Sequence, residues 1–151
     1  MAVHCAPRGT RDVDLLAVAT ECLNPETWQP LETQGIAVDV RRGGADDPLA
    51  GVVRFSSTDV DPLDLIVGRA PWQEAMLARA REAVVSGVAV PVVTAADLIV
   101  LKLYAGGPQD AWDIEQLLAA AGDRGALVAD VDGRVGPLSP RSMELWQRIR
   151  G

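Results

Sequence analysis

Between Thr94 and Gly106 the chain reads TAADLIVLKLYAG, and Leu98, Ile99, Leu101, Leu103 and Tyr104 fall on nearly every side of the helix that this spacing describes. A helix without a polar stripe cannot lie on a surface, so the remainder of the chain must cover it. Thr94 and Asp97 have the spacing of a capping box, in which the hydroxyl satisfies amides left free in the first turn. Gly106-Gly107-Pro108 ends that helix and opens another through Trp112, Ile114, Leu117 and Leu118. After Gly122 the pattern is less clear until Ser139-Pro140, the cap and first turn of a last helix with Met143, Trp146 and Ile149 on one stripe.

Upstream the periodicity changes. Asp12 to Ala17 is short and apolar after its first residues and follows a turn-like Pro7-Arg8-Gly9-Thr10, which predicts a buried strand. Asn24-Pro25-Glu26 opens a helix running to Gly35, and Ile36 to Val40 alternates as a strand does. Gly43 to Pro48 is a loop, Gly51 to Phe55 and Leu63 to Val67 are strands, and the acidic segment Ser56 to Pro62 connects them. Trp72, Met76, Ala80 and Val84 recur at helical spacing, so a helix is expected over 71–85 with Gly87 closing it, followed by a strand over Ala89–Val93. The four tryptophans, Trp28, Trp72, Trp112 and Trp146, each fall on an expected helix and are expected to anchor the core.

These patterns predict an α+β fold, a mixed sheet packed with helices and followed by a helical C-terminal portion. With 151 residues, 48% of them hydrophobic, the expected organisation is a single domain over 1–151, its sheet-containing core about 1–93 and its helical portion about 94–151. No apolar run approaches the roughly 18 residues that cross a bilayer and the first residues lack the features of a signal peptide, so a cytoplasmic protein with no membrane partner is expected. A formal charge of -7 argues against broad electrostatic binding to nucleic acid. Arg41-Arg42, Arg79 with Arg81, and Arg148 with Arg150 are the compact basic groupings, and they read as solvated surface. Cys5 and Cys22 have no metal-site spacing, and His4 is the only histidine.

Asp12-Val13-Asp14 carries the chemistry. Residues two apart on a strand project to one face, so the two carboxylates would stand side by side. Adjacent anions repel unless a cation lies between them, and magnesium, a hard ion usually held by one or two carboxylates, is the natural one. Asp64 opens an apolar strand, whereas Asp59 and Asp61 precede Pro62 in a turn. Lys102 interrupts an apolar helix and either snorkels or pairs with Asp110 or Asp113 across the glycine turn.

The segment Arg8-Gly9-Thr10-Arg11-Asp12-Val13-Asp14-Leu15-Leu16 resembles the signature with which nucleotidyltransferases of the DNA polymerase beta superfamily present their first metal ligands. Asp64-Leu65-Ile66-Val67 looks like that family's later strand with a third carboxylate. The run from Val92 to Leu103 with Asp110 and Asp113 resembles the helical segment of its abortive-infection toxin branch. The resemblance spans about His4 to Leu118, in matching order. It implies a nucleotidyltransferase-like fold and transfer of a nucleoside monophosphate from a nucleoside triphosphate to an acceptor hydroxyl, in a toxin–antitoxin or phage-defence setting. Asp12, Asp14 and Asp64 would be catalytic and hold Mg2+ or Mn2+, and Thr10, Arg11, Lys102 and Asp110 would contact substrate. The implied partners are the nucleoside triphosphate, an RNA or protein acceptor, and an antitoxin or toxin.

Proteins of that family place a strand, a Gly-Gly or Gly-Ser turn and a helix ahead of the paired aspartates, and the turn's amides cradle the triphosphate. Here Ala2-Val3-His4-Cys5 resembles only the end of that helix, so the cradle is expected to be absent and nucleotide binding weakened. Two accounts follow: a late-started form of an active enzyme, or a non-catalytic, antitoxin-type binding partner that keeps the fold.

Overall fold

The structure, a computed structural model, describes residues 13–47, 49–85 and 87–151. The chain divides into two compact units, whose described parts are 13–78 and 79–151. Together they are α+β, with a mixed four-stranded sheet in the first unit and most of the helix in the second.

The first unit is built on strands β1 (Val13–Ala17), β2 (Ala37–Arg42), β3 (Leu49–Ser56) and β4 (Leu63–Gly68), in the spatial order β1-β4-β3-β2. Strands β2, β3 and β4 are successive antiparallel neighbours, whereas β1 runs parallel to β4. One face of this sheet makes the core. Val40, Val53, Leu65 and Leu15 lie in one register row, Val38, Phe55 and Leu63 in the next, and Gly51, Val67 and Ala17 in another. Val53 and Val67 are fully buried there. Leu23 fills the space a side chain at Gly51 would need, since a Cβ on Gly51 would overlap both Leu23 and the Arg41 carbonyl.

The helix expected from Asn24 to Gly35 is broken into short pieces. There are 3-10 turns at Thr20–Leu23 and Pro25–Trp28, then one α-helical turn, α1 (Gln29–Glu32). Asn24 caps the second turn by accepting from the Glu26 amide at 3.2 Å. Pro30 has no N–H to offer the carbonyl of Glu26; Gln29 donates to it instead, in the tighter 3-10 pattern. Trp28 sets its ring edge-on to Phe55 at 4.8 Å and donates its indole N–H to the Cys22 carbonyl at 2.7 Å, which fixes these turns against the apolar face. Helix α2 (Pro71–Ala78) completes the unit.

The helix expected over 71–85 is therefore corrected. It ends at Ala78, and Arg81–Val85 is a strand, β5, paired antiparallel with β6 (Val88–Val92). Gly87 has φ +81°, which suits a hairpin turn as well as it suits the end of a helix. The hairpin belongs to the second unit, with helices α3 (Ala95–Ala105), α4 (Pro108–Ala119), α5 (Arg124–Asp132) and α6 (Pro140–Arg150). Helices α4, α5 and α6 all pack on α3, giving the cover that its apolar circumference requires. Ile99, Val100, Leu103, Ile114, Leu117, Val131 and Trp146 form the buried centre. Gly106 ends α3 in the left-handed conformation and returns its amide to the Lys102 carbonyl.

Helix α5 occupies the stretch whose pattern is unclear in the sequence. Asp123 caps it by accepting from the Ala126 amide at 2.9 Å. Core anchoring by all four tryptophans is also corrected: Trp146 is wholly buried, Trp28 and Trp72 are partly buried, and Trp112 is 45% exposed. Among the described residues no helix is long and apolar enough to cross a membrane.

Candidate functional site

The sheet face opposite the core carries a row of charge. Asp14 of β1 stands opposite Asp64 of β4, Asp64 opposite Arg54 of β3, and Arg54 opposite Asp39 of β2. Register partners share a face and neighbouring strands are about 4.8 Å apart, so four ionic side chains cross the sheet in one line. Alternation explains why they lie here: Leu63, Leu65 and Val67 turn to the core, and Asp64 between them must turn away.

Asp14 is exposed, and the Asp64 side chain is about one quarter exposed. Arg54 engages Asp64 as a fork, its Nε donating to Oδ1 at 2.9 Å and its Nη2 to Oδ2 at 3.0 Å. Asp39 is held by Arg41, two residues along the same strand and on the same face, at 2.8 Å. Like charges directly opposite each other destabilise a sheet, and the Asp14–Asp64 pair is compensated on one side by Arg54. Of the residues expected at the site, the structure brings Asp14 and Asp64 together. Thr10, Arg11 and Asp12 lie outside the described residues. Asp59 and Asp61 sit in the exposed connection before β4. Among the described residues no three His, Cys, Asp or Glu side chains are grouped to hold a metal ion. Two carboxylates in register are nevertheless the hard-oxygen pair magnesium uses, with water and substrate filling the remaining positions.

Lys102, Asp110 and Asp113 also come together, within the helical unit. The Lys102 ammonium lies 2.7 Å from Asp113 Oδ2 and 3.3 Å from Asp110 Oδ1. Asp110 accepts the Gly107 amide at 3.0 Å, and Gln109 donates to Asp113. The lysine thus ties α3 to α4 across the Gly106-Gly107 turn, the pairing alternative of the two open in the sequence.

A third ionic group joins Asp97, which the sequence marks only as part of a helix cap, to Arg79, whose reading as solvated surface is corrected by its pairing with that buried carboxylate. Asp97 is fully buried and accepts from Arg79 Nη2 at 2.6 Å, Arg79 Nε at 3.2 Å and the Thr94 hydroxyl at 2.7 Å, with Arg134 at 3.0 Å. Burial pushes its carboxyl up, but the bonds from Arg79 and Thr94 and the charges of Arg134 and Arg79 outweigh this and hold it below the ordinary range. The bond to Asp97 in turn raises the Arg79 guanidinium. The available signal was an aspartate at the third helical position, where a capping box usually has Glu or Gln. Asp130 and Asp132 at the end of α5 are engaged in ion pairs: Asp130 pairs with Arg134, just past the helix, and Asp132 accepts from the Trp146 indole and Arg150 of α6.

No protein-family model matches the sequence, and no match to a curated protein reaches significance.

Proposed function

We propose that this chain is a metal-dependent nucleotidyltransferase of the DNA polymerase beta type, transferring a nucleoside monophosphate to an acceptor hydroxyl on RNA or protein in a toxin–antitoxin or phage-defence setting. The observation that carries the reading is the register of β1 and β4, with Asp14 directly opposite Asp64. A third carboxylate on a neighbouring strand is what the sequence resemblance implies, and the four-stranded mixed sheet is compatible with it. Asp14 and Asp64, with Asp12 two residues before Asp14 in the sequence, would hold Mg2+ or Mn2+. When bound, the metal would offset the triphosphate charge and lower the acceptor hydroxyl's pKa. The chain's own part is to fix two carboxylates on adjacent strands of a rigid sheet, and Asp64 can take the acceptor's proton.

The test is incorporation of label from each of the four nucleoside triphosphates into a cell extract in the presence of magnesium. Incorporation by the wild-type chain and its loss in Asp14→Asn are expected; an Asp14→Asn protein that incorporates as well as wild type overturns the assignment. The fork from Arg54 onto both oxygens of Asp64 favours a second reading, a non-catalytic binding partner of the antitoxin type. That protein would release no pyrophosphate from any triphosphate and would co-purify with a protein partner.

A further inference from the structure

We infer that Arg54 is a resident counter-ion of the carboxylate pair, one that competes with a divalent cation for Asp64; this rests on the metal-binding reading above. Three observations carry it. Both Asp64 oxygens accept from one guanidinium, at 2.9 and 3.0 Å, so the charge and about half of the lone-pair positions a metal would use on that carboxylate are already engaged. Arg54 sits on β3 and Asp14 on β1, on opposite sides of Asp64, so the cationic partner approaches from the side away from the second carboxylate. The Arg54 side chain is half exposed, so water can solvate the guanidinium when it leaves Asp64.

The displaced guanidinium also has a seat. Asp39 lies opposite Arg54 on its other flank, in the same register row, and pairs with the exposed Arg41. Turning from Asp64 to Asp39 moves the positive charge one strand away from an arriving cation while keeping it paired. Arg54 is thus a positioning residue. It holds the Asp64 carboxylate oriented and sets the cation concentration at which the site fills.

The test is Mn2+ binding to the full-length chain, followed by the loss of free-Mn2+ electron paramagnetic resonance signal. An exposed fork holding Asp64 most of the time withholds it from the metal in proportion, so Arg54→Met should tighten Mn2+ binding roughly three- to tenfold, while Arg54→Lys, which keeps charge but not the fork, lies between. Arg41→Met removes the same charge from the same sheet face and is expected to change affinity less than twofold. Unchanged or weaker binding by Arg54→Met, with wild type binding Mn2+, overturns the counter-ion role and leaves the metal site standing. Equal tightening by Arg41→Met also overturns it, because the effect is then general charge. No Mn2+ binding by any variant, each folded by circular dichroism, removes the metal site and this inference with it. Should Arg54→Met not fold, Arg54→Lys carries the same test with the smaller shift.

Discussion

Replacing Asp97 with asparagine keeps the side chain's size and removes its charge at a fully buried carboxylate with several ionic and hydroxyl partners. The buried carboxylate receives both Arg79 contacts, the Thr94 hydroxyl and Arg134. An amide offers one acceptor in place of two and turns an NH2 group toward donors. Removing one partner of a buried ion pair costs about 3–5 kcal/mol. Arg79 and Arg134 keep 37% and 19% of their side-chain surface exposed, so water can partly resolvate them and the lower end, about 3 kcal/mol, applies. With a urea slope of about 2 kcal/mol per molar, the midpoint should fall by about 1.5 M at neutral pH. Circular dichroism gives the midpoint, and hydrogen exchange on peptides from 95–105 shows whether the loss lies in the helical unit. The gap should also depend on pH. The native Asp97 carboxyl lies below its ordinary value of 3.8, so the unfolded chain binds more protons in that window. The carboxylate's contribution is complete above pH 3.8 and is lost as pH falls through the lowered native value, where wild type and variant should converge. A midpoint shift under about 0.5 M at pH 7, or a gap that widens in acid, would refute the reasoning.

Gly68→Ala should lower stability by about 1–3 kcal/mol, because the added Cβ would overlap the buried Gln73 carbonyl that accepts the Arg69 and Ala70 amides. Thermal melting of Gly68→Ala checks it, and partial recovery is expected when Gln73→Ala makes room. Lys102→Met removes the cation shared by two carboxylates, one of them 5% exposed, and should cost about 2–3 kcal/mol. Arg41→Met, at a pair with both members more than half exposed, should cost under about 0.5 kcal/mol. Equal urea midpoints for those two variants would show that the Lys102 cluster is not a buried ionic tie.

The helical unit is legible where local chemistry and burial agree. Thr94, Pro108 and Ser139-Pro140 mark helix starts because each places a cap or a proline where the first turn has spare amides, and α3, α4 and α6 begin at or beside them. Two segments are not legible for the opposite reason. In 79–92 the spacing of Trp72, Met76, Ala80 and Val84 continues a helical pattern across a real break, and positive φ at Gly87 serves a helix end and a hairpin alike. Val84 and Val85 are exposed in the hairpin, so burial gives their apolar character no periodic meaning. Helix α5 has the weakest pattern because its one fully buried side chain is Val131, and a single anchor has no period.

The site divides along the same line. That Asp14 and Asp64 should share a sheet face follows from alternation around apolar neighbours, which is a local property. That they stand opposite each other depends on the chain crossing from β1 to the far strand β2, so that β4 returns to pair parallel with β1, and no short-range signal encodes it. Arg54 had a signal that composition masks: between Val53 and Phe55, which face the core, it must point to the opposite side. Its bond to Asp64 then follows from strand pairing, since an arginine and an aspartate in register on one face are within reach of each other. Under the proposed metal-binding reading the arrangement would set two cations in competition for one carboxylate, a guanidinium fixed by the fold and a divalent ion supplied by solution. Reading the aspartates alone gives candidate ligands; reading the arginine beside them turns their presence into a question of relative affinity, which a titration of Arg54 variants can answer.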